Sequence, residues 1–264
     1  MKEHIDKVIS TVRHGKYYLF PTSLSFYMLF AIVPAFTSLE LLLAILNVDD
    51  SILFKYIYEF LPSSSSDGLV EFLSHRPTVG DGINIIVTFI ISIFVISRGV
   101  SIFIDVSSDL YRYKSDLGVI KKSMISFITS LGLIISLFIV ILIDVLLSSF
   151  LAYYDSVFSF LKYVIVFAVL FLFLSILYIV GVHKKMKKKH VWLGSLCASF
   201  GITIMLFLFN IYTVYIVNYD STYGPLSWLI ILLVLFRIIS MIIYLGLIIN
   251  VIVYKEKRLV LTSR

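Results

Sequence analysis

Apolar residues fall into six long runs, at about residues 22–46, 83–104, 123–151, 160–182, 191–217 and 226–253. About 20 apolar residues at 1.5 Å rise cross the ~30 Å hydrocarbon layer of a bilayer, so each run predicts a membrane-spanning helix. Two shorter patterns flank the first run. Ile5, Val8, Ile9 and Val12 recur at helical spacing opposite Lys2, Lys7 and Arg13, which predicts an amphipathic helix on the membrane surface. Between the first two runs, Ser51 is placed to cap a short helix carrying Ile52, Leu53, Tyr56, Ile57 and Phe60. Pro62 and the serines 63–66 break it, and Leu69, Val70, Phe72 and Leu73 form a second apolar stripe before Pro77. Segment 47–82 therefore reads as a helical hairpin on the outer side. The fold class is all-α: a polytopic bundle of six transmembrane helices, an N-terminal amphipathic helix and an outer hairpin.

Composition supports a single membrane domain over residues 1–264. The chain is 60% hydrophobic and 14% charged, with a mean hydropathy of +1.03, against about 45–50% and about 25% in soluble domains. No stretch is polar enough to be a separate soluble domain, and no tandem repeat is visible. The basic, then apolar, N-terminus resembles a signal peptide, but its apolar run is too long for one and reads as an uncleaved first span. Cys197 is the sole cysteine and lies in an apolar run, where packing is its expected role.

The net charge of +6 is a topology signal. Lys2, Lys7, Arg13 and Lys16 precede the first span. Arg112, Lys114, Lys121 and Lys122 lie between the second and third, five lysines in HKKMKKKH (183–190) between the fourth and fifth, and Lys255, Lys257, Arg258 and Arg264 in the tail. The opposite connections hold only Lys55 and Arg76. The positive-inside rule puts both termini in the cytoplasm. The lysine cluster needs no nucleic acid to explain it, since anionic lipid contact suffices.

Polar residues inside the runs are the candidate site. Glu40, Asp144 and Asn210 lie near the outer ends of their spans and Arg237 deeper, so an outward-facing polar cavity lined by the four is one reading. Buried ion pairs that only lock the bundle are the other. Arg237 is expected to reach Glu40 or Asp144, with Asp144 favoured. Arg98, near the inner end of its span, is expected to snorkel to the cytoplasmic interface. Asp105 and Asp109 read as solvated interface groups, and Pro34 as a packing kink or, less simply, a gate. Tyr212, Tyr215, Tyr219 and Tyr223 fit an interfacial aromatic belt. The five histidines are scattered without ligand spacing, so no metal or other cofactor is expected.

SLSFYMLFAIVPAF (23–36) resembles the first span of the YihY/BrkB membrane family. The turn Tyr223-Gly224-Pro225-Leu226 is similar to that family's turn before its last span, and Gly246 and Asn250 match its terminal Gly-x-x-x-Asn pattern. The likeness runs from about residue 16 to 253. Early Trp228 and the charge of Arg237 depart from the pattern in the last span. The resemblance implies a bacterial inner-membrane protein linked to envelope physiology or serum resistance, with Pro34, Tyr223, Gly224, Pro225, Gly246 and Asn250 in structural or gating roles. The label ribonuclease BN attached to such proteins finds no metal-ligand cluster here.

Two functions follow as expectations. One is transport or flipping of an amphiphilic envelope component or ion, with membrane lipids and a lipid-like cargo as partners. The other is a non-transporting envelope scaffold that binds a partner. An enzyme ranks below both, because no nucleophile–base pair or metal set is visible.

Overall fold

The computed structural model describes residues 19–45, 51–60, 66–67, 70–71, 82–111, 118–150, 155–182, 191–215 and 227–262. The expected N-terminal amphipathic helix, the HKKMKKKH cluster and the Tyr223-Gly224-Pro225 turn lie outside them, as do the side chains of Pro34, Glu40, Asp144 and Asn210. Within the described residues every regular element is a helix. In chain order these are α1 (Phe20–Ile45), α2 (Ser51–Phe60), α3 (Gly82–Leu110), α4 (Val119–Phe150), α5 (Asp155–Val182), α6 (Trp192–Tyr215) and α7 (Ser227–Thr262). Of the six long helices, α3, α4, α6 and α7 each carry an apolar stretch long enough to cross a membrane among those residues.

The apolar runs locate the helices, but not all their ends. The polar stretch after Ile104 is helical to Leu110, not a loop, and α7 runs nine residues past Val253 to Thr262. Hydropathy marks where lipid stops. A helix continues past that point if one face still packs, and in α3 it does. Ile104, Ser107, Ser108, Leu110 and Tyr111 are buried, while Asp105 and Asp109 point outward. Pro21 sits in the first turn of α1, where the missing N–H costs nothing. Pro34 leaves α1 unbroken as far as Ile45.

α2 is amphipathic, as its sequence spacing predicts. Ile57 is buried against Ile32 of α1, Phe209 of α6 and Ile231, Leu232 and Leu235 of α7. Val70, the one described residue of the second stripe, packs against the same cluster. Tyr58, exposed on α2, is hydrogen-bonded to Asp67. Desolvation first, and then that bond and charge, raise its phenol above the ordinary value.

In the bundle α1 packs chiefly on α3 and α7, α7 on α6, and α5 on α6, α4 and α3. Its surface is strongly apolar. Phe26, Phe30, Ile90, Ile91, Phe94, Ile128, Leu172, Phe200, Phe207 and Leu208 are all exposed. In water such a belt would aggregate; against acyl chains it costs nothing. Cys197 lies on this exposed surface instead of in the packing, a correction to its expected role.

Buried polar groups inside are mostly satisfied within their own helix. Ser108 donates to Ile104 O, Thr129 to Ile125 O, Ser130 to Ser126 O, Ser195 to Val191 O and Ser199 to Ser195 O, at 2.7–2.9 Å. Each hydroxyl reaches the carbonyl one turn back, which hides a donor that lipid cannot satisfy.

Candidate functional site

An apolar cavity of about 270 Å³ lies between α1 and α3 on one side and α4, α5 and α7 on the other. Leu24, Tyr27, Met28, Ala31, Ile32, Ala35 and Phe36 form its α1 wall. Their spacing of three and four residues puts them on one helix face. All seven belong to the Ser23–Phe36 stretch, so that stretch is the cavity's wall. Ile96, Gly99, Val100 and Phe103 of α3, Leu133 of α4, Phe173 and Leu177 of α5, and Phe236 and Ile243 of α7 complete it. Small residues make the room. A Cβ on Gly99 would stand 3.4 Å from Tyr27 Cβ, an ordinary van der Waals contact, so α1 and α3 run close together at this point. The cavity is partly open to the outside of the bundle. An engineered apolar cavity of about 150 Å³ stays dry and binds benzene. One of this size and lining suits a length of hydrocarbon chain, and it offers an inorganic ion nothing to replace its hydration shell.

Next to the cavity, three helices are clasped. Asn250 Oδ1 accepts a 2.8 Å hydrogen bond from the backbone N–H of Gly194, in the first turn of α6. That N–H has no partner within its own helix, so a side chain from α7 caps α6. Tyr178 of α5, fully buried, donates to Ile243 O of α7 at 2.8 Å. The glycines admit this approach. A Cβ on Gly194 would meet Gly246 O at 2.1 Å, and one on Gly246 would meet Tyr178 OH at 2.4 Å. Gly246 and Asn250 thus hold α7 to α6 and α5. Sequence reasoning missed Tyr178, whereas Tyr244 belongs to the same family stretch as Gly246 and Asn250. Tyr244 is fully buried and ring-packed on Phe20, and for Tyr178 a tyrosine amid apolar residues in a span was the available signal.

The other expected site residues are distributed as follows. Arg237 is half-buried in α7 and is partnered. It is not among the cavity-lining residues, although its neighbour Phe236 is. Its helix packs on α1, which carries Glu40, and on α6, which carries Asn210, whereas the main neighbours of α4, which carries Asp144, are α3 and α5. Arg98 is exposed on α3, its Cζ lying 4.9 Å from the centre of the Phe94 ring. Phe94 is one turn toward the Gly82 end, so the side chain leans away from the end where α3 meets its basic connection, opposite to the expected snorkelling. Asp105, beyond it, is ion-paired with Lys122 of α4. Among the described residues no group of three His, Cys, Asp or Glu could hold a metal.

Comparison of the sequence with known proteins points to one family. The chain is 24% identical over 248 residues to the ribonuclease-like protein YfkH of Bacillus subtilis (strain 168), covering 89% of this chain and 90% of the relative. No solved structure matches. The sequence model of the virulence factor BrkB family matches residues 8–262, with both the cavity wall and the Gly246–Asn250 clasp inside the match, and the chain belongs to that family.

Proposed function

We propose that this protein moves an amphiphilic envelope component across the bacterial inner membrane, with the apolar part of the cargo in the cavity behind Ser23–Phe36. The observation that carries the reading is the cavity itself: apolar, about 270 Å³, and reachable from the outside of the bundle. Its lining argues for a lipid-like cargo over an ion. The proposal takes all six long helices as spans with both termini cytoplasmic, following the basic residues. It assigns the polar part of the cargo to the outer halves of α1, α4, α6 and α7, where Glu40, Asp144, Asn210 and Arg237 lie in the sequence. Because α7 packs on α1 and α6, Glu40 and Asn210 replace Asp144 as the proposed neighbours of Arg237. The relative's ribonuclease-like name is not carried over, since the proposal finds no nuclease chemistry in five scattered histidines.

Filling the cavity tests the reading. In proteoliposomes carrying a fluorescent phospholipid, the wild type should equilibrate the lipid between leaflets. Ala31→Phe and Ala35→Phe should abolish this while keeping the thermal stability of the wild type, since each ring enters existing space. Undiminished lipid movement in stable, cavity-filled variants would rule the cavity out. Full rescue of an envelope phenotype by those variants would favour the scaffold role.

A further inference from the structure

Arg98 presents a charge where a bilayer tolerates it least. The apolar part of α3 runs from Ile83 to Ile104, and its ~22 residues match the ~30 Å hydrocarbon layer. Arg98 is six residues from Ile104, ~9 Å inside the layer. Its guanidinium does not lean back toward the Ile104 end. It lies 4.9 Å from the centre of the ring of Phe94, a residue one turn further from Ile104. The side chain is exposed on the outer face of α3, beside exposed Ile90, Ile91 and Phe94. Among the described residues no carboxylate reaches it within 4.0 Å. The acid on its own face, Asp105, is seven residues away and held by Lys122.

We propose that Arg98 and Phe94 form a site on the membrane-facing surface of α3 for the phosphate of an anionic phospholipid. A guanidinium facing lipid carries a penalty of several kcal/mol unless an anion or water reaches it. Its fork binds phosphate in a bidentate way, and Phe94 orients the fork through its ring face. The apolar residues beside it suit the acyl chains of the same molecule. A polar ledge leads to it. Arg98, Asp105 and Asp109, seven and four residues apart, share one helix face, and Lys122 neutralises Asp105, the acid nearer to Arg98. A protein partner would instead have to bring its own acid to this depth. The site requires only that α3 face lipid, not that the cavity carries cargo.

The test uses the full-length protein in mild detergent, with bound lipid counted by native mass spectrometry. Three probes are compared: dioleoyl phosphatidylglycerol, dioleoylglycerol without the phosphate, and inorganic phosphate. Wild type should retain phosphatidylglycerol. Arg98→Gln should weaken that binding at least tenfold, with Arg98→Lys and Phe94→Leu between them. Dioleoylglycerol binding should be equal in all variants. Equal phosphatidylglycerol affinity in wild type and Arg98→Gln would overturn the proposal. So would inorganic phosphate displacing the lipid at equal affinity, which would make this a free-anion site. Release of a co-purifying membrane protein by Arg98→Gln, with lipid binding unchanged, would make it a helix-docking site instead.

Discussion

Gly194→Ala is the substitution for which the structure makes the sharpest demand. Its Cβ would stand 2.1 Å from Gly246 O and 2.5 Å from the Asn250 side chain. Ordinary contact begins near 3.4 Å, so backbone must retreat by about 1.3 Å. The obstructing atom is a helix carbonyl, which cannot swing aside as a side chain can. Separating α6 from α7 stretches the bond between Gly194 N–H and Asn250 and exposes a buried donor, at a cost of ~1–3 kcal/mol. Overpacking adds ~1–3 kcal/mol more. Asn250→Ala removes only the acceptor and should cost ~1–3 kcal/mol. Gly132 on α4 is the control, because a Cβ there meets nothing within 4 Å. Gly132→Ala should be neutral or stabilise by ~0.5–1 kcal/mol through helix propensity. Thermal unfolding in one detergent should order the midpoints as Gly132→Ala, wild type, Asn250→Ala, Gly194→Ala, from highest to lowest. A Gly194→Ala midpoint equal to that of Gly132→Ala would refute the clasp.

Three further outcomes are expected. Burial raises the Tyr111 phenol above its ordinary 10.0, so the folded protein holds that proton longer than the unfolded chain. The resulting stabilisation is complete below about pH 10 and lost as pH rises through the raised value; Tyr111→Phe should flatten the alkaline fall of the melting midpoint, and an identical slope would contradict this. Lys122→Ala should cost at most ~1 kcal/mol, because its partner carboxylate is 60% exposed, and a loss of several kcal/mol in a denaturant titration would show the pair to be structural. In a Cys197→Ser background, Ser64→Cys should react with an impermeant thiol reagent from outside intact cells and Lys187→Cys should not; labelling of Lys187→Cys would invert the proposed topology.

The six long helices were legible in the sequence because each is built on a long apolar run, and among the described residues four of them carry a stretch long enough to cross a membrane. Their ends were not, since Asp105 and Asp109 look like a loop to hydropathy while Ser107, Ser108 and Tyr111 on the other face keep packing. The amphipathic α2 was legible from Ile57 and its spacing. The cavity was less so. Ser23–Phe36 could be recognised as a motif, but Ala31, Ala35 and Gly99 become empty space only when α1 and α3 are brought together. A charge in an apolar run is conspicuous. An apolar cavity is bounded by residues that look like any other core. Arg98 shows the converse: its depth was roughly readable, but its lean toward Phe94 was not, because the direction depends on a ring one turn away.

The two family motifs lie at opposite ends of the chain, yet they build one structure. Ile243 joins them. Its side chain lines the cavity opposite the α1 wall, and its carbonyl accepts the hydrogen bond of Tyr178. Leu177, the residue before Tyr178, lines the cavity from α5. Gly246 lies under the Tyr178 hydroxyl, and Asn250, one turn on, ties α7 to the start of α6. The clasp therefore fixes the spacing of α5 and α7, and that spacing sets one side of the cavity. On the other side Ser240 donates to Met28 Sδ at 3.4 Å and Tyr244 packs on Phe20, so α7 is also held to the helix that forms the main wall. A hydrogen bond to a carbonyl in mid-helix and a side-chain cap are both directional, unlike apolar packing, which permits sliding. In a bilayer, where burying apolar surface drives no helix association, such contacts are what can hold an empty apolar space open. That is the physical reason for a glycine and an asparagine four residues apart in the last helix of a protein whose cavity wall is in the first.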